Sequence, residues 1–298
     1  MPCVCQKIMK ACELPKLGII AGGGDLPREI IKSCQEEGRP FLILAYAGQT
    51  DPETYLSLPH IMGYLGKVGE AIQNLKQAQV KELVLAGRFR RPSWAELKPD
   101  AVCARWLAQS AKNIFGDDSL LKTIVQNLEA EGFRVVGAED IVGHNLLAPH
   151  GVLGQHLPTD QAMADIRHGF TVAKALGRCD TGQSVVVQQG LVLGVEAIEG
   201  TDQLLLRCRA LKRKGPGGVL VKIVKPHQET RVDRPVVGPQ TVKYAIEAGL
   251  SGIALEADGV IVHNLPEMAR LADEQGLFLM GVMDVDFADF SASKIFHE

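Results

Sequence analysis

Long apolar runs are missing from this chain of 298 residues: the longest, 41–48 and 276–283, hold about eight residues, against the roughly 20 that a spanning helix needs. No apolar stretch follows Lys7 and Lys10, so residues 1–14 do not read as a secretory leader. A basic excess is missing too. Lys plus Arg number 32 against 35 for Asp plus Glu, a formal net charge of -3, which argues against nucleic acid as a partner. The seven cysteines, at 3, 5, 12, 34, 103, 179 and 208, are odd in number and form no CxxC pair. A disulfide scaffold is therefore not expected, and the chain reads as one made and kept in the cytoplasm. Cys3, Cys5 and Cys12 have no His at ligand spacing nearby and read as a loose N-terminal extension, not a metal site. The eight histidines make no HxxxH or HxH pair, and no Gly-x-Ser-x-Gly elbow occurs. Both absences count against a zinc hydrolase and a serine esterase. Fixed-period repeats and low-complexity tracts are absent as well.

What is present is the balance of a globular protein, 46% apolar and 22% charged, long enough for one large domain or two of ordinary size. An apolar run at 17–21, glycines at 22–24 and an amphipathic segment from Asp25 to Glu37 predict strand, turn and helix. Leu26, Ile30 and Cys34 stripe that helix and Gly38 closes it. Strands are further predicted at Phe41–Tyr46, Leu83–Ala86 and Phe133–Val136, with helices over 66–79 and about 118–131. This alternation predicts a parallel, Rossmann-like sheet with crossover helices. Periodicity breaks over Gly143–His156, at Pro149, Gly151 and Gly154. Beyond it the pattern predicts a helix at 160–176 and a hairpin of Ser184–Gln188 with Leu191–Ile198 around Gln189-Gly190. A strand near Val219–Val224, a helix after Gly238-Pro239, short strands near 252–255 and 259–262, a helix near 265–275 and a strand at 277–282 follow. The expectation is an α/β chain: a Rossmann-like N-terminal domain at 15–145 and a second α/β domain at 146–298, with ligand in the cleft between them.

Gly22, Gly23 and Gly24, followed by Asp25, sit where the first strand meets the first helix. Backbone N–H groups there can approach a phosphate, and the helix N-terminus adds a favourable dipole. The dinucleotide fingerprint is not completed. Position 27 is Pro where a third Gly belongs, the second strand ends at Ala45-Tyr46-Ala47 without a ribose-binding acid, and a Walker A lysine is lacking. Phosphate or nucleotide binding stays open beside the plainer reading of a tight turn needing positive φ. Asp117 and Asp118, ahead of the helical run Leu120–Leu128, suit a cap or a Mg²⁺ or phosphate site. Glu199 and Asp202 are similarly ambiguous. Glu196 and Glu199 fall on opposite faces of a continuing strand, unless the chain turns before Glu199, and Asp202 can cap a helix starting with Leu204. The stretch Arg88-Phe89-Arg90-Arg91-Pro92-Ser93-Trp94 interleaves basic and aromatic residues as an RNA- or lipid-facing loop does, and as ordinary loops do.

The densest chemistry lies in Lys222–Gly238, predicted as a loop after a strand. Lys225, Arg231 and Arg234 accompany Glu229 and Asp233, with Gln228 and Thr230 as neutral donors. Such a set suits a diphosphate and its metal: cations neutralise oxygens while a carboxylate holds Mg²⁺ or water. A solvated charged loop is the competing reading.

Taken in order, Gly22-Gly23-Gly24 with Leu26-Pro27, Ala86-Gly87 with Arg91-Pro92, Gly116-Asp117-Asp118, Glu199-Gly200-Thr201-Asp202 and the loop from Gln228 to Gly238 with Thr241 resemble one family. It is that of the LpxI-type UDP-2,3-diacylglucosamine pyrophosphatases of lipid A biosynthesis, and the resemblance runs from about Lys16 to Asp284. It implies two α/β domains and a divalent cation, Mg²⁺ or another such as Mn²⁺. The implied reaction is hydrolysis of the sugar-nucleotide diphosphate to UMP and 2,3-diacylglucosamine 1-phosphate (lipid X), water attacking the sugar-side phosphorus. A lipid-linked substrate, peripheral attachment to the cytoplasmic face of the inner membrane and a homodimer are implied with it. The family's Gln-x-x-Arg-x-Asp-x-Pro aspartate maps onto Asp233, and position 229 is Glu where many relatives carry Asp. On this resemblance Asp233 is the key aspartate, and on the charge pattern of the two second-half loops Arg231 and Lys225, which would neutralise the diphosphate, and Gln228 carry catalysis with it. Gly22, Gly23, Gly24, Asp25, Arg91, Thr201 and Thr241 would bind substrate, and Asp233, Glu199 and Asp202 metal. Two other readings compete. The glycine turn suggests an NAD(P)-dependent oxidoreductase, and the charged loop a non-catalytic nucleotide- or lipid-binding protein.

Overall fold

The computed structural model describes residues 14–90, 97–112 and 117–290. Two compact units make it up: Met1–Gly143 with Glu229–Asp233, and His144–Gln228 with Arg234–Glu298.

The first unit begins with β1 (Leu17–Ala21), whose apolar LGIIA run is buried almost throughout, as a central parallel strand requires. Helix α1 (Leu26–Glu37) follows, with Pro in its first turn and Ile30, Ile31 and Cys34 buried. The chain continues through β2 (Phe41–Tyr46), α2 (Pro52–Tyr55), β3 (His60–Gly63), α3 (Val68–Gln77) and β4 (Glu82–Ala86). It then forms α4 (Ala101–Lys112), α5 (Asp117–Ala130), β5 (Arg134–Val135) and α6 (Glu139–Val142). The five strands lie in the order β3-β2-β1-β4-β5, all parallel. Here the Rossmann-like expectation is met, with the order reversing at the β1/β4 edge. Ile72 and Leu75 of α3, Trp106 of α4 and Val125 and Leu128 of α5 bury one sheet face with Leu42, Leu44 and Leu83. Strand β3 and helix α4 are additions to the sequence reading. At the amino ends of the strands, Glu82 pairs with buried Arg39 and with Arg134, the latter at 3.0 Å.

The second unit opens with β6 (Gly151–Val152) and α7 (Asp160–Arg178), which Thr159 caps by accepting from the Ala162 N–H. Next come β7 (Ser184–Gln188), β8 (Leu191–Val195), α8 (Gly200–Arg209), β9 (Val219–Lys222) and β10 (Val236–Val237). Helix α9 (Pro239–Glu247), β11 (Gly252–Glu256), β12 (Ile261–Val262), α10 (Leu265–Glu274) and β13 (Phe278–Val282) complete it. Six strands are ordered β6-β13-β11-β9-β7-β8, and β10 pairs with β12 separately. The three central strands β13, β11 and β9 are parallel, while β7, β8 and β6 run antiparallel to their neighbours. Gln189 (φ 54) and Gly190 (φ 75) take the left-handed conformation that a two-residue hairpin needs, as the sequence predicts. Asp165 of α7 anchors that turn: its carboxylate accepts from the Gln189 and Gly190 N–H groups at 2.8 and 2.7 Å.

Two local expectations fail. The second hairpin strand stops at Val195, not Ile198, so the chain turns before Glu199. Helix α8 then starts at Gly200, which puts Asp202 inside the first turn and not in the cap of a helix from Leu204.

Candidate active site

The glycine turn lies at the carboxyl ends of β1 and β4, the switch point of the first sheet. All three amides are spent within the chain. Gly22 N–H donates to Ala86 O (2.7 Å), Gly23 N–H to Arg88 O (3.0 Å) and Gly24 N–H to Asp51 Oδ2 (2.9 Å). Arg88 N–H returns a bond to Gly23 O at 2.9 Å. A Cβ on Gly22 would meet Arg88 O at 2.6 Å, and one on Gly87 (φ +91) would meet Gly23 O at 2.7 Å. Two loops thus touch backbone to backbone, and the glycines are accounted for by that approach. Around them, Tyr46 and Phe89 pack edge to face with centroids 5.5 Å apart, and burial pushes the Tyr46 hydroxyl pKa up. Gln49 accepts from Arg90 N–H at 2.7 Å and donates to Arg90 O at 3.2 Å. Asp25 does not cap α1 with its side chain and pairs with Arg28 instead.

Within the second unit, the turn after β9 is built by its own side chains. Gln228, buried, accepts from Lys225 N–H at 3.0 Å, and its N–H donates to Lys225 O at 3.1 Å. Lys225 Nζ reaches Asp180 Oδ1 at 2.5 Å. Glu256, at the end of β11, accepts from Val224 N–H (2.8 Å) and from Lys174 Nζ (2.7 Å) and so fixes where the turn begins. Farther on, Arg234 donates to the carbonyls of Asp258 and Gly259 at 3.2 and 3.1 Å. Thr241 is buried in the first turn of α9, its N–H on Gly238 O.

Glu229–Asp233 groups with the first unit. Arg231 grips Glu229 through Nε (2.8 Å) and Nη2 (2.9 Å) and Glu129 of α5 through Nη1 (2.6 Å). Hydrogen bonds from Arg231 hold the Glu229 carboxyl below the usual range, and those same carboxylates raise the Arg231 pKa. The N–H groups of Val232 and Asp233 both return to Glu229 O, at 3.1 and 3.0 Å. That turn holds half-buried Asp233 in place.

A buried polar cluster closes the carboxyl end of β9. Lys222 Nζ donates to Thr201 Oγ1 at 2.6 Å, Thr201 donates to Glu196 Oε1 at 2.9 Å, and Ser184 Oγ lies 3.3 Å from the same hydroxyl. Glu196 Oε2 is buried and has no hydrogen-bond partner among the described residues. The sequence reading singles out neither Lys222 nor Ser184, although a lysine inside the run Val219–Val224 is a signal that it has a polar partner. Glu199 is committed elsewhere. Its Oε1 accepts from Arg207 Nε (3.1 Å) and Nη2 (2.8 Å), and Oε2 from Ala197 N–H (3.1 Å). Hydrogen bonding from its own backbone amide, then from Arg207, lowers its pKa. The structure therefore gathers Lys225 with Gln228, and Arg231 with the turn that holds Asp233, while Thr201 belongs to the Lys222 cluster. Arg91 and the side chains of Asp117 and Asp118 lie outside the described residues.

A 3-2-1-4-5 parallel sheet joined in sequence to a mixed α/β unit, with charged loops at strand carboxyl ends, defines a two-domain α/β protein with a doubly wound first half. Within that class the chain belongs to the LpxI family: the LpxI N-terminal domain matches residues 16–145 and the LpxI C-terminal domain residues 149–280. A Caulobacter vibrioides protein named UDP-2,3-diacylglucosamine pyrophosphatase LpxI is 39% identical over 280 residues, which cover 90% of this chain and 97% of that protein.

Proposed function

We propose that the chain hydrolyses the diphosphate of UDP-2,3-diacylglucosamine to UMP and 2,3-diacylglucosamine 1-phosphate (lipid X) in lipid A biosynthesis. The observation that carries this reading is the 39% identity to the pyrophosphatase over nearly its whole length. Two preformed turns in this loop, Lys225–Gln228 in the second unit and Glu229–Asp233 grouped with the first, support it physically. Water adds to the sugar-side phosphorus as the bridging P–O bond breaks and UMP departs. The loop's groups meet the two demands of that step, an oriented nucleophile and neutralised phosphate oxygens.

In this reading Asp233 is the central carboxylate. It orients the water or holds the cation, and the Glu229 turn fixes its backbone. Arg231, spent on Glu229 and Glu129, acts as a positioning residue for Asp233. Lys225 turns from Asp180 to the diphosphate, and Gln228 keeps the Lys225 backbone in register. Gly22, Gly23, Gly24 and Asp25 in the first unit, and Thr201 and Thr241 in the second, each threonine in the first turn of a helix, are read as substrate-binding residues of their own units.

A divalent cation, Mg²⁺ or Mn²⁺, would neutralise developing charge on phosphate oxygens. Among the described residues no group of three or more His, Cys, Asp and Glu side chains is close enough to hold a metal by itself. The donors fit a Mg²⁺ that takes one or two carboxylates and completes its shell with phosphate oxygens and water. Asp233 in the first unit is one candidate for that role and Asp202, in the first turn of α8, another, whereas Glu199 would first have to release Arg207. Among the described residues no helix is long and apolar enough to cross a membrane, so a lipid-linked substrate calls for peripheral attachment at the cytoplasmic face of the inner membrane.

The test is incubation of the full chain with UDP-2,3-diacylglucosamine in Mg²⁺ or EDTA, following UMP and lipid X. The expected result is Mg²⁺-dependent release of both, with Asp233→Ala slowed by about 10²–10⁴-fold. No turnover with any divalent cation overturns the assignment, and full turnover in Asp233→Ala removes that carboxylate from the mechanism.

A further inference from the structure

The surface where α8 ends, beside the β7–β8 turn, has no part in the reaction proposed above. From Arg207 to Lys214 the chain carries Arg207, Arg209, Lys212, Arg213 and Lys214 and no acidic residue. Arg207 is taken by Glu199. The other four are exposed, and none has an ion-pair partner among the described residues. In a chain of formal charge -3 this is a local concentration of positive charge. Apolar side chains stand beside it in the open: Leu211 is 50% exposed, Leu191 46% and Val192 38%.

Hydrogen bonds join these pieces into one surface. Gln188 accepts from Arg213 N–H (2.9 Å) and donates to Arg213 O (3.0 Å) and Pro216 O (2.6 Å). Gln189 donates to Lys214 O at 3.1 Å. Leu191 pairs with Gln188 and lies on the face of β8 that meets the end of α8, while Val192 pairs with Val187 across a bulge and lies on the other face, so the tip of this strand exposes one apolar side chain on each side. Strand β8 is also an edge of its sheet. The basic backbone is thus held in a fixed shape next to exposed leucine and valine, which ordinary solvation of a charged loop does not require.

We propose that this surface docks on an anionic lipid bilayer, with Arg209, Lys212, Arg213 and Lys214 over the headgroup phosphates and Leu191, Val192 and Leu211 at the headgroup–acyl boundary. Charge complementarity selects an anionic partner, and the apolar side chains select lipid over nucleic acid, whose phosphates would leave them in water. No aromatic residue is present between Arg207 and Lys214 to stack on bases. The proposal rests on the peripheral attachment read above and gives it a place on the surface; vesicle binding without sugar nucleotide tests it apart from hydrolysis.

Its test uses the full chain and vesicles of phosphatidylcholine, with or without phosphatidylglycerol, at low and high salt, and no sugar nucleotide. The chain is expected to co-sediment with the anionic vesicles at low salt and with neither kind at high salt. Each Lys or Arg near such a surface is worth about fivefold in affinity, so K212Q/R213Q/K214Q should bind on the order of a hundredfold more weakly. L191S/V192S should also bind more weakly while keeping the salt dependence. The same charge removed elsewhere, in K32Q/K81Q/K243Q, should leave binding intact, and thermal melts should match wild type in all three. No binding to anionic vesicles, or an equal loss in the distant triple variant, overturns the proposal. Full affinity in L191S/V192S together with displacement by a duplex oligonucleotide would assign the surface to nucleic acid instead.

Discussion

Asp165→Ala should loosen the second unit by removing the anchor of its hairpin. The side chain belongs to a residue only 2% exposed and accepts from two backbone amides at 2.8 and 2.7 Å and from Gln161 Nε2 at 3.1 Å. Hydrogen bonds to a charged acceptor contribute about 1.5–3 kcal/mol each, so the two amide bonds amount to about 3–6 kcal/mol. Gln189 and Gly190 are exposed, and water can satisfy part of what is lost. The carboxylate's own burial cost also disappears. About 3 kcal/mol is the expected net effect, which lowers the transition of a unit this size by about 6–12 °C. Asp165→Asn is the sharper probe: its oxygen can serve one amide, but its NH₂ then faces the other donor, and about 2 kcal/mol should be lost. Urea titrations followed by circular dichroism give both values, and hydrogen exchange at Gln189 and Gly190 should quicken in both variants. A loss under about 1 kcal/mol for Asp165→Ala, or wild-type stability in Asp165→Asn, would refute the assignment of the turn to this carboxylate.

Three further outcomes follow from the same geometry. Glu82→Gln leaves buried Arg39 without its counter-charge and should destabilise the first unit by about 3 kcal/mol in urea, whereas an unchanged midpoint would mean that Arg39 is satisfied elsewhere. Because Arg231 lowers the folded pKa of Glu229, that pair adds stability above the unfolded carboxyl value of about 4.3, and the contribution is lost as pH falls through the folded value. Urea midpoints of Glu229→Gln should accordingly fall below wild type at neutral pH and converge with it in acid; a constant gap would contradict the linkage. Brief iodoacetamide treatment of the native chain should label exposed Cys179 and spare buried Cys34, Cys103 and Cys208, since burial lifts the Cys34 thiol to about 11; peptide mapping reads the result, and early labelling of Cys34 would contradict its burial.

The parallel half of the fold is legible because its strands are continuous apolar runs and its helices keep a clear stripe. Strand β3 escapes because His60–Gly63 is an edge of four residues whose burial is slight, so no apolar alternation marks it. Helix α4 is different: Val102, Cys103 and Trp106 stand at helical spacing and pack into the core, so its stripe is there to be read. In the second unit every long strand is visible, but not that β7 inserts antiparallel beside β9, since pairing order is decided by tertiary packing. The loop of Lys225–Asp233 stands out by composition alone. Which of its charges are already consumed does not: Arg231 looks available in sequence, yet two carboxylates claim it. Distant partners explain the difference, since Glu129 lies 102 positions away.

The switch-point turn of the first unit carries its own anion. Gly24 N–H, one of the three amides that the sequence offers to a phosphate, already serves the Asp51 carboxylate. A negatively charged guest at that turn therefore gains no fresh donor; it enters by exchange and must displace one negative charge to seat another. Exchange of that kind weakens simple anions and favours guests that bring compensating positive charge, or that also engage Arg88 and Arg90 on the adjoining strand end. Asp51 is thus the group that an incoming phosphate would have to displace at this turn.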